Sequence, residues 1–78
     1  MPTIAYFEGI RIVIHINEHN PPHFHVVYAE HDGALAIADL TLTKGSLPRG
    51  VLNKVLEWAS GRELELLDRW NEITQTPR

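Results

Sequence analysis

The chain concentrates its chemistry in one stretch, HNPPHFHVVY, from His19 to Tyr28. Three histidines, His19, His23 and His25, fall within seven residues, with Pro21 and Pro22 between the first and the second. Neutral imidazole is the commonest protein ligand for divalent transition metals such as zinc, and a His-x-His pair on a strand points both rings to one side. Three histidines with one open position is the ligand set of a catalytic zinc, and the two prolines would lower the entropy lost in fixing His19 against His23. The same rings suit metal-free chemistry, with His23 and His25 as base and acid on a phosphodiester. A third reading is structural: histidines beside a rigid Pro-Pro turn can bond backbone groups left unpaired by proline, or contact a partner. The residues leave all three open, and with them the question of whether the protein is an enzyme. The nearest carboxylates, Glu18, Glu30 and Asp32, stand at no compelling ligand spacing, and Glu30 is expected on the inward face. His31 is expected in a solvated turn.

Two strands must position this stretch. The segment TIAYFEGIRIVIHI reads as a hairpin turning at Glu8-Gly9, and Ile10, Ile12, Ile14 and Ile16 alternate with polar or smaller residues, so one face is buried. EHNPPH breaks the pattern as a loop. FHVVYAE is a third strand, with Phe24, Val26 and Tyr28 on one face. If strands two and three pair across the loop, their apolar faces must join, because a one-residue slip would flip every side chain. His15, His23 and His25, with Asn17, then share the opposite face, and His19 sits in the loop above them. HDG reads as the next turn and ALAIADL as a fourth strand, with Leu40 to Thr43 extending it or adding a short one.

Beyond Lys44 the period changes. Ser46 is a candidate helix N-cap and Pro48 suits a first turn. Val51, Leu52, Val55, Leu56 and Ala59 form an apolar stripe at helical spacing, with Trp58 beside it. Ser60 and Glu63 read as a capping box opening a second helix, with Gly61 allowing the bend. Leu64, Leu67 and Trp70 then stack at i, i+3, with Leu66 and Ile73 widening the face. Glu65 and Arg69 form an i, i+4 pair, and Glu63, Glu65, Asp68 and Glu72 mark a solvated face. The expectation is an α+β fold: an antiparallel sheet of about four strands, then two C-terminal helices packed on one face. One domain spans 1–78, with a β half over about 3–43 and an α half over about 47–74.

Composition narrows the class. The chain has 78 residues, 44% of them hydrophobic, and a core of that size leaves only a few kcal/mol of stability, so a metal or a partner would help. It has no cysteine, which excludes disulfides and thiolate metal sites. A net charge of −3 does not favour nucleic acid, although Arg11 or Lys44 could hold an anionic substrate. No apolar run reaches the ~18 residues of a membrane span, and Met1-Pro2-Thr3 opens no signal segment; the cytoplasm is the expected compartment. An edge strand, with Trp58 and Trp70 leaning outward, would suit a homodimer.

MPTI, FEGIRI, HNPPHFHV, GSLP and LEWA together resemble the small bacterial proteins grouped as domain of unknown function 4160, over nearly the whole chain. The motif of that family maps onto His19, Asn20, Pro21, Pro22, His23, Phe24 and His25; His15 lies outside it. Ala29 stands where the family often has glycine. The resemblance implies no assigned activity. It does imply a two-gene unit with a small protein of the domain of unknown function 2442 family, and so a toxin–antitoxin-like or regulatory pair.

Overall fold

Glu8 and Gly9 both adopt positive φ, at 51° and 79°, which is the backbone of a two-residue hairpin turn whose twist matches that of its strands. This turn joins β1 (Thr3–Phe7) to β2 (Ile10–Val13) in the computed structural model, which describes residues 3–16 and 21–74. β3 (His23–Tyr28), β4 (His31–Ala36) and β5 (Leu42–Ser46) follow, each antiparallel to the one before, in the order β1-β2-β3-β4-β5. The helices α1 (Arg49–Ala59) and α2 (Glu63–Thr74) close the chain. The α+β class and the antiparallel sheet followed by two helices are as expected; the fifth strand completes a meander in which every strand neighbours its predecessor.

The β2–β3 register pairs Ile10 with Tyr28, Ile12 with Val26 and Val13 with His25, so the isoleucine face and the Phe24/Val26 face are one surface. That surface carries the core. Ile10, Ile12, Ile14, Phe24, Val26, Leu35 and Ile37 pack with Val51, Val55 and Ala59 of α1 and Leu66 and Trp70 of α2. Burying them removes most of their apolar surface from water, the main favourable term available to so short a chain. Both helices lie on this side. Among the described residues no helix lies over the opposite face of the sheet.

Several local expectations change. β2 ends at Val13, so Ile14 is buried beyond the strand while Ile16 is 55% exposed. The turn after β3 is Ala29-Glu30, not HDG, because Tyr28 pairs directly with His31. Glu30 is therefore an exposed turn residue, not an inward one, and His31 lies in β4, its ring stacked on Tyr28 at 6.5 Å. Gly33 marks close packing and no turn: a Cβ there would meet Leu42 Cδ1 at 3.0 Å and Leu47 Cγ at 3.1 Å. The β half runs on to Ser46, which pairs with Asp32 in β5 and caps no helix. Pro48 is the N-cap residue of α1, without a side-chain cap bond.

Glu63 is the first residue of α2, too early for the Ser60–Glu63 box; Ser60 closes α1 instead, its N–H donating to the Leu56 carbonyl at 2.9 Å. Gly61, at φ 83°, makes the bend. Leu64 is 79% exposed, and Leu66 takes the buried place, since the face that meets the sheet is 66/70 with 67 and 73 at its margin. Arg69 pairs with Glu72 at 3.6 Å, and Glu65 with Arg62 at 3.7 Å. Trp70 is 3% exposed, which removes one of the two outward tryptophans from the homodimer argument. Trp58 is partly buried against Phe7 at 5.7 Å and Phe24 at 6.3 Å.

Candidate functional site

The register that joins the apolar faces leaves Arg11, Val13, His25 and Val27 together on the uncovered side, with Asp32, Ala34 and Ala36 opposite Val27, His25 and His23 on β4. His15, just past β2, brings its ring to 4.3 Å from that of His25, edge to face. His23 approaches His25 at 5.1 Å, also edge to face. The three histidines expected to share a face thus touch in one row. Val13 and Ala34, the cross-strand neighbours of His25, are both buried, so the middle ring stands between two apolar side chains.

Local backbone explains the position of His23. Its Nδ1 lies 2.8 Å from the Pro21 carbonyl oxygen. A carbonyl only accepts, so Nδ1 carries the proton and Nε2 carries the lone pair of the neutral ring. This is the turn-bonding role foreseen for a histidine beside proline. The Pro22 carbonyl in turn accepts from the Ile37 N–H at 3.1 Å, tying the end of the loop to the far end of β4.

A contact the sequence did not suggest extends the row. The ring of His23 lies 5.1 Å from that of Trp70 on α2. His15, His25, His23 and Trp70 therefore form a continuous line of rings from the bare face to the core. Spacing held no clue to this, because 47 residues separate His23 from Trp70 and only helix packing unites them.

This row limits the chemistry. Two rings whose centroids are 4.3 or 5.1 Å apart leave no room for a phosphodiester between them, so an acid–base pair here would have to reach a substrate lying across the row. Among the described residues no group of three His, Asp or Glu side chains is placed to hold a metal ion. His19, the remaining member of the proposed ligand set, lies outside the described residues, as do Asn17 and Glu18.

A family model, Domain of unknown function (DUF4160), matches residues 9–71. The chain belongs to the DUF4160 family. No curated protein and no solved structure matches it. The matched span of this DUF4160 chain runs from the first hairpin turn into α2 and so includes the whole histidine row and Trp70, while β1 lies outside it. Among the described residues no helix is long and apolar enough to cross a membrane.

A second feature of the bare face lies at its other end. Thr3, Tyr6, Gly9, Arg11, Val27 and Ala29 line a shallow depression of about 370 Å³. Tyr6 and Arg11 are cross-strand partners, and Tyr6 is 72% exposed. Sequence reading missed the tyrosine. Its signal was parity: as a neighbour of Phe7, which faces the core, it had to face outward.

Proposed function

We propose that this protein is a small cytoplasmic interaction module, one member of a toxin–antitoxin-like pair, and that the end of the bare sheet face carrying the histidine row meets the partner. The observation that carries this reading is the contact of His15, His25 and His23 on the one sheet face that no helix covers. Half-buried rings anchored at one side by Trp70 are held in fixed orientation, and pre-set aromatic side chains lose little entropy when a surface closes over them. The family resemblance supplies the partner: a small protein of the domain of unknown function 2442 family encoded beside this one.

Co-expression of the two tag-free chains and co-purification test the proposal. The expected result is a stable complex that His23→Ala with His25→Ala weakens by about 30-fold or more, the effect of removing residues at the centre of an interface. Failure of the parent protein to form any complex with its neighbour would sink the reading. A metal role would instead rest on His19 joining His23 and His25, and would show as a melting temperature raised by zinc and restored by chelator.

A further inference from the structure

We propose that the bare sheet face also binds single-stranded RNA, through Tyr6, Arg11 and Lys44. This goes beyond the partner reading and does not depend on it, because it uses the opposite end and the far strand of the face. The architecture provides the first argument. An antiparallel sheet with its helices all on one side leaves a flat surface on which unpaired bases stack on aromatic side chains, and arginine planes add to the stacking. Tyr6 offers such a ring, largely exposed, with Arg11 directly opposite on β2 and Val27 beyond it as an apolar floor. The depression they line, about 370 Å³, is large enough to admit a planar base.

Charge provides the second argument. Three of the four described cations on or beside the helices are paired, Lys54 with Glu8, Arg62 with Glu65 and Arg69 with Glu72, while Arg49 at the start of α1 has no ion pair among the described residues. Arg11 and Lys44, both on the bare face, make no ion pair among the described residues. Lys44 sits opposite Ala34, whose other neighbour is His25. The path from Arg11 across β3 and β4 to Lys44 is roughly 16 Å, three strand spacings and two residues along the strand. It fits a few nucleotides, with a base at Tyr6 and a phosphate near each cation. Val27 is half-buried and Ala34 buried along that path, so a bound strand would pass over the side chains that cover Ala34. One carboxylate, Asp32, shares the face beside Val27 and opposes phosphate there. Thr3, at the edge of the depression, adds a hydroxyl that can bond a 2′-hydroxyl, which sets RNA above DNA.

The test is fluorescence anisotropy with a labelled 12-nucleotide RNA of mixed sequence, its DNA counterpart, and the untagged protein. Micromolar binding of RNA is expected, with log K falling against log salt at a slope of about −1.4 for two contacted phosphates. Tyr6→Ala should weaken it about five- to a hundredfold, and Tyr6→Phe should restore it. Arg11→Ala should weaken it and reduce the slope by about 0.7. Asp32→Asn should tighten it, and Arg69→Ala on α2 should leave it unchanged. Melting curves establish that each variant is folded, which the exposure of both side chains favours. Absence of binding to 100 μM protein at low salt would overturn the proposal, as would affinities in Tyr6→Ala and Arg11→Ala within twofold of the parent. Equal affinity for the DNA would overturn the assignment to RNA. Loss of the neighbouring protein from the Tyr6→Ala and Arg11→Ala variants, with no RNA bound by the parent, would give the face to protein contact; a parent that binds RNA but no neighbour would refute the partner reading alone.

Discussion

At position 29 an alanine holds φ at 53°, a backbone region in which a Cβ crowds the following peptide. It is the first central residue of the β3–β4 turn. Ala29→Gly is expected to stabilise the protein by about 1 kcal/mol and to raise its melting temperature by about 4–8 °C, since relief of the steric cost exceeds glycine's added freedom in the unfolded chain. A melting temperature unchanged or lowered in thermal denaturation would refute this. Gly45 shows the reverse case: at φ 72° its Cβ would lie 2.1 Å from the Asp32 carbonyl oxygen, so Gly45→Ala should detach β5 from β4 and lower the melting temperature sharply. Lys54 reports on pH. Its hydrogen bond to Glu8 at 2.5 Å, reinforced by that carboxylate's charge, holds its ammonium above the ordinary value of 10.5. A raised folded-state value means that this contribution is fully present below 10.5 and is lost as pH rises through the folded value. The difference in melting temperature between the parent and Lys54→Met should therefore stay constant from about pH 6 to 9 and shrink only at higher pH.

The elements depend on a core with few members. Phe24 on β3 is fully buried, at the centre of the sheet, and meets Trp58 of α1. Phe24→Ala should cost about 3–5 kcal/mol, comparable with the whole stability of a domain this size, and leave the chain unfolded by circular dichroism at room temperature. Leu64→Ser on α2 should change stability by less than about 0.5 kcal/mol, because Leu64 faces outward; a large loss would show that Leu64, not Leu66, faces the sheet. Pattern reading went astray at Leu64 because 64, 67 and 70 share a helical spacing with 66, 70 and 73. Only contact with the sheet decides which of two overlapping stripes is buried.

For the whole molecule, the division into a helix-covered and a bare sheet face matters most. The covered side buries the apolar set, and three of the four described cations on or beside the helices are paired; the bare side holds three histidines, an exposed tyrosine and two cations without ion pairs among the described residues. A net charge of −3 therefore says little about this face, because five of the ten carboxylates lie on or beside the helices, from Glu57 to Glu72. If the proposed readings hold, partners meet the bare face, and surface substitutions on α2 should leave binding intact.

The sequence by itself determined the face relations. Strict alternation in β2 and β3 allowed one pairing of apolar faces, and parity then placed His15, His23 and His25 together before any distance was known. Element order followed from the change of period near Lys44. Tertiary structure alone decided how close the rings come, that Trp70 stands against His23, and where the second turn lies. These depend on helix packing across dozens of residues and on backbone crowding at Gly33 and Ala29, neither of which leaves a local pattern. Alternation constrains direction because a strand has two faces. It carries no information on depth or distance, which are set by what packs against those faces.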